Sequence, residues 1–184
     1  MRSRDIILEA TRAQIGASGF EGVSIAGVAK RAGVSRQTVY SIFGTREELV
    51  SQALTDRLTQ LLGSFEKLLA AADSLLELFV EMVVEARAQV LGDPMLQYLT
   101  LSGTANPIFD AGAAERALEY GVALLSPAAD RFPEMAGRVE RVADLAVHVG
   151  WSVLCLDRPE TRSDDALREV LTTWVAPTLA SLTR

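Results

Sequence analysis

A chain of 184 residues with 49% hydrophobic and 23% charged side chains, 13 glycines and 6 prolines can bury a sizeable core and is neither fibrous nor disordered. Its length suits one domain, or a small domain fused to a larger one. The formal charge of −6 excludes a uniformly basic nucleic-acid binder, but the charge is uneven: residues 1–48 hold seven Lys/Arg and five Asp/Glu, net +2, and the remainder eleven and nineteen, net −8.

In chain order, residues 4 to 18 form a first helix, with Ile7, Leu8, Ala10 and Ile15 at helical spacing and Gly19 as its stop. Arg2 and Arg4 make a basic arm, readable equally as a phosphate contact and as a solvated terminus. Ser24 to Glu48 then reads as two short helices, a tight turn and the start of a third helix. Ser24 is an N-cap, Val28, Ala29 and Ala32 share one face, and Gly33 is the turn residue. Ser35 caps the helix from Arg36 to Ile42, which turns Val39 and Ile42 or Phe43 inward and Arg36, Gln37, Thr38 and Ser41 outward. Thr45 and Glu48 make a Thr-x-x-Glu capping box.

Two helices joined by a glycine turn form a helix-turn-helix, whose second helix enters a DNA major groove. Arg36 can reach guanine O6 and N7, and Gln37 a base edge such as adenine. Thr38 and Ser41 offer hydroxyls, and Tyr40 an O–H for phosphate. The helix starts near Ser24, Ser35 and Thr45 offer free N–H groups to phosphates, with Arg46 beside the last.

In these residues the chain resembles the TetR family of transcriptional regulators. The matching positions are Ile7-Leu8, Ala10, Gly19-Phe20, Ser24, Val28-Ala29, Ala32-Gly33-Val34-Ser35, Thr38-Val39-Tyr40, Phe43 and Arg46-Glu47-Glu48-Leu49. They cover roughly residues 4 to 50. Gln37, Ser41-Ile42 and Ala26-Gly27 depart from the family's usual residues. They lie at or near the reading surface, so no operator sequence carries over. The resemblance implies an N-terminal DNA-binding domain, residues 1–48, and a helical ligand-binding and dimerisation domain, residues 49–184.

Beyond the motif, a helix opened by Thr45 runs to about Ala71, unbroken by proline, and could transmit a shift between the two parts. Asp73 or Ser74 caps the next, which Gly92 ends. Asp93-Pro94 restarts a short helix, and residues 104–112 read as a loop. A helix from Ala113 to about Arg131 has Pro127 as its weak point. Gly137 to Asp157 is nearly apolar all round after Asp144, so burial on several sides is expected. Ser163-Asp164-Asp165 opens the last helix, where Pro177 is expected to kink it or free a carbonyl. No strand alternation occurs, and the fold class is all-α.

The lone Cys155 can form no internal disulfide and fits a reducing cytoplasm. The N-terminus has no signal-peptide core, and Val142 to Leu156 is too short and polar to span a bilayer, so a cytoplasmic protein with no membrane partner is expected.

Two tasks suit the second part. The family resemblance implies a homodimer through the last two long helices, Gly137–Asp157 and Asp165–Leu182, with Ala143, Ala146 and Gly150 permitting close approach and Trp151 and Trp174 burying area. The alternative is that both helices serve the subunit's own core. The resemblance also implies a pocket for a small hydrophobic effector. Phe65, Phe79, Met82, Tyr98, Leu101, Tyr120 and Trp151, with Phe109 and Leu124, are its candidate lining; the competing reading is a solid core. His148 and Cys155 read as buried structural residues. There are no catalytic-residue, cofactor or metal signatures, so an enzyme is the least supported reading. A helical interaction module that has lost DNA is the other alternative. The expected function is a DNA-binding regulator, in the family's usual mode a repressor, on a palindromic double-stranded operator.

Overall fold

The computed structural model describes residues 2–101, 112–156 and 162–182. The chain is all-α: the described residues form ten helices and one short 3-10 turn, with no strand among them. They divide into two compact units. The first holds the chain up to Leu62 together with the stretch from Val90 through the sixth helix; the second holds Gly63–Gln89 and the helices that follow. This division differs from a simple cut at 48/49, because the fourth and fifth helices each contribute to both units and the sixth packs on the first.

In the first unit, α1 (Arg2–Ser18), α2 (Ile25–Ala32), α3 (Arg36–Phe43), the start of α4 (Arg46–Ala71) and α6 (Pro94–Leu101) share one core. Ile7, Ile15, Val28, Val39 and Leu49 are its fully buried centre. Each such side chain stabilises by roughly 1.5–3 kcal/mol. α1 and α6 touch backbone to backbone. A Cβ on Gly16 would stand 2.4 Å from the Pro94 Cβ and 2.5 Å from its carbonyl carbon, so only glycine permits this approach.

Asp93 has two tasks in this unit. One oxygen accepts from the N–H groups of Met95 at 2.8 Å and Leu96 at 3.2 Å, capping α6. The other accepts from Arg57 Nε at 2.7 Å, and both side chains are nearly buried. The cap was legible in Asp93-Pro94; the partner, 36 residues earlier, was not.

The second unit contains the rest of α4, most of α5 (Leu75–Gly92), α7 (Ala113–Leu125), α8 (Ala128–Arg131), the 3-10 turn Pro133–Met135, α9 (Val139–Leu156) and α10 (Asp164–Leu182). Ser74 is the α5 cap, its Oγ accepting from Glu77 N–H at 3.1 Å while Glu77 accepts from Asp73 N–H at 2.8 Å. Phe65, Leu78, Phe79, Val142, Leu167 and Leu171 anchor the core. Pro127 separates α7 from α8, as its missing N–H requires. α10 continues through Pro177. Arg168 clamps α10 to α5 through a two-pronged pair with Glu81, at 2.7 and 3.0 Å. Those bonds hold its guanidinium pKa above the usual value.

Three expectations need correction. α9 does have a solvated face: Arg141, Asp144, His148, Ser152 and Cys155 recur at three- and four-residue steps and are exposed. Counting apolar residues hid that stripe. His148 is therefore a surface residue, its Nδ1 lying 2.8 Å from the Asp144 carbonyl oxygen. Cys155 is exposed rather than packed; the partial burial it has raises the thiol pKa, which keeps it protonated. No helix among the described residues is long and apolar enough to cross a membrane.

Replacing Asp93 by Ala should cost about 2–3 kcal/mol, because it uncaps α6 and removes the charged acceptor of the Arg57 Nε hydrogen bond. Asp93→Asn, which keeps the capping oxygen, should cost less. Urea denaturation monitored by circular dichroism measures both.

Candidate nucleic-acid interface

The helix-turn-helix is assembled by short-range hydrogen bonds. Ser24 is extended (φ −135°, ψ 141°), and its side chain accepts from Gly27 N–H at 3.1 Å. α2 ends at Gly33 in the left-handed region (φ 67°, ψ 29°), while Val34 N–H bonds back to the Ala29 carbonyl at 3.0 Å. Ser35 Oγ accepts from Thr38 N–H at 3.0 Å and lies 2.8 Å from Thr38 Oγ1. Thr45 and Glu48 exchange bonds at 2.8 and 3.1 Å, completing the capping box.

This frame sets the rotation of α3. Val39 and Phe43 are buried, and Ile42 faces out. The inward alternative is thus resolved for Phe43, over which the Arg4 guanidinium stacks at 5.9 Å. Arg36, Gln37, Tyr40 and Ser41 are exposed, Tyr40 at 56%, and Thr38 is half-buried. Among the described residues the exposed four make no side-chain hydrogen bond or ion pair, so their polar groups are unspent. Ser35, Gln37, Thr38, Ser41 and Ile42 line a shallow depression of about 330 Å³.

Arg46 is employed elsewhere. Its Nε donates to the Val23 carbonyl at 2.8 Å, Nη2 to the Phe20 carbonyl, and Nη1 pairs with Glu47 at 3.2 Å. It therefore pins the turn before α2. Glu47's own backbone N–H and the Arg46 side chain hold its carboxyl below the usual range. Sequence reading also missed Gln14, whose Oε1 accepts from Ser24 N–H at 3.2 Å. Nothing in α1's periodicity marks that residue.

The candidate effector residues are dispersed. Phe65 and Phe79 are buried in the second unit's core, with Met82 and Leu124 packed against it. Trp151 is half-buried on α9, and Tyr120 is 75% exposed on α7. Tyr98 belongs to the first unit, edge-on to Phe20 at 6.2 Å between ring centroids. The side chain of Leu101 and all of Phe109 lie outside the described residues, as does most of the expected 104–112 loop. Among the described residues no three His, Cys, Asp or Glu side chains gather to hold a metal ion.

Comparison with known proteins agrees with this geometry. The profile of the bacterial regulatory proteins, tetR family, matches residues 7–53. Over 107 residues the chain is 32% identical to the HTH-type transcriptional regulator AlkX of Mycobacterium tuberculosis, covering 56% of this chain and 49% of that protein. The match thus spans about half the length of that curated relative. Among solved structures, the TetR family repressor AlkX from a Dietzia species, implicated in biodegradation of n-alkanes, is 22% identical with a TM-score of 0.54 over 98% of this chain and 97% of that one. A TetR-like regulator from Rhodococcus is 18% identical with a TM-score of 0.65, covering 97% and 96%. At such identities the structures speak to the fold.

Gly33→Ala should lose about 1–2 kcal/mol from left-handed strain alone, since no atom lies within 4 Å of the added methyl. Ser35→Ala should lose about 1 kcal/mol with its cap. Thermal unfolding of the two variants checks both.

Proposed function

We propose that the chain, whose residues 7–53 match the tetR family profile, is a TetR-family repressor and not an enzyme, and that it binds a palindromic operator as a homodimer and is released by a small hydrophobic ligand. The observation that carries this reading is the exposed edge of α3, where among the described residues Arg36, Gln37, Tyr40 and Ser41 make no side-chain hydrogen bond or ion pair. Arg36 reads guanine, Gln37 a neighbouring base, and Thr38 and Ser41 base edges or phosphates. Tyr40 and the helix starts at Ser24, Ser35 and Thr45 hold phosphates. Arg46 acts indirectly, by fixing the turn before α2. In this reading residues 1–48 bind DNA and residues 49–184 dimerise and take the effector, in the cytoplasm where the operator is.

Dimerisation through α9 and α10 is supported by the apolar surface they expose, Leu156 and Trp174 at 60% or more. Half-buried Ala146 and Gly150 permit close approach. Ala143 does not contribute, because it is fully buried within the subunit, where a Cβ on Gly121 of α7 would lie 3.5 Å from its own. A +2 head binding weakly alone needs the second copy. The aromatic and Met side chains of the second unit suit an apolar effector, and the implication of the Dietzia AlkX in n-alkane biodegradation points the same way. Such a ligand must bind the two states of the dimer unequally to release DNA.

Gel shifts with DNA from upstream of the protein's own gene test this reading. Arg36→Ala should weaken binding by about 1–3 kcal/mol and relax preference at one base position. Tyr40→Phe should weaken it on all sequences alike. Trp174→Glu should give a monomer by sedimentation and lose the shifted band. Unchanged binding by Arg36→Ala and Tyr40→Phe would overturn the reading, and favour a module that has lost DNA.

A further inference from the structure

Position 87 breaks the pattern of its helix. Val80, Val83 and Val84 line the buried face of α5, and the next turn of that face carries Arg87. Arg87 is 2% exposed. Its Nη2 donates to Asp164 Oδ1 at 2.5 Å, and Asp164 itself is 54% exposed. Nε and Nη1 are buried and donate to no acceptor. A guanidinium has five N–H groups in a planar fork, and this one is compensated from a single side by a half-solvated carboxylate. Native interiors pair nearly all such donors. Asp164 is also the first residue of the 19-residue α10, whose dipole adds positive potential at the same place.

We infer that Arg87 is the head-group site for an apolar ligand bearing a carboxylate, a chain carboxylic acid whose two oxygens accept from the donors that Asp164 leaves unused. The ligand's body belongs with the apolar side chains that precede Arg87 on α5, Val83, Val84 and Phe79. A carboxylate suits the planar fork, where an alcohol offers one oxygen. A phosphate dianion would bring a second charge against Asp164, with Asp165 next to it in the chain. This inference rests on the reading of residues 49–184 as the effector-binding part and names the effector's class.

The test is calorimetric titration of the full-length chain, without DNA, with decanoate, decan-1-ol and decyl phosphate. The wild type should bind decanoate at least about tenfold more tightly than either of the others. Arg87→Met, similar in length and apolar, should keep the far-UV spectrum and bind decanoate and decanol alike. Should that variant fail to fold, Arg87→Lys, which keeps the charge and loses the fork, should weaken decanoate binding by about threefold or more with decanol unchanged. No carboxylate preference in the wild type, or a preference that survives in the variant that folds, would overturn the inference. Decanoate binding that leaves the operator complex intact would count against the repressor mechanism and not against Arg87.

Discussion

Burial of Val39 and Phe43 decides which edge of α3 meets the outside, and everything functional in the first unit follows from that. The helix has eight residues, so a rotation by one position, 100°, would bury Tyr40 or Thr38 in place of Val39. Two constraints prevent it. The left-handed Gly33 sets where α3 can begin, and the Ser35 cap starts the helix at Arg36. Arg46, reaching back to the Phe20 and Val23 carbonyls, ties α4 to the turn before α2. The exposed edge of α3 is thus set by Gly33, the Ser35 cap and Arg46.

The legible parts of the fold are those whose causes lie within a few residues. Ser24, Ser35 and the Thr45–Glu48 box act over three positions, and each bond is present. The stops at Gly19 and Pro127 are equally local. What the sequence left open needed a distant partner. Choosing Phe43 over Ile42 depends on α1 and Arg4, and the duty of Arg46 depends on carbonyls 23 and 26 residues earlier. Asp93 was visible as a cap and invisible as the partner of Arg57. α9 was misread for another reason: its polar residues are few, yet their spacing puts them on one side. The candidate effector residues share only their type, and type does not place Tyr98 in the first unit or expose Tyr120.

The second unit shows the opposite economy. Its core is apolar and its ion pairs stand at the margin, as with Glu81 and Arg168, where screening leaves little net stability. Among the described residues of this unit Arg87 alone is a buried charged side chain. Its Nε and Nη1 donors have no acceptor, and an anionic group could supply one.

Amide hydrogen exchange of the whole chain, with and without a duplex from upstream of its gene, tests the central claim most directly. The account predicts added protection in Arg36–Ser41 and at the helix starts after Ser24, Ser35 and Thr45, abolished by high salt. Protection confined to other surfaces, with α3 exchanging as in the free chain, would contradict it.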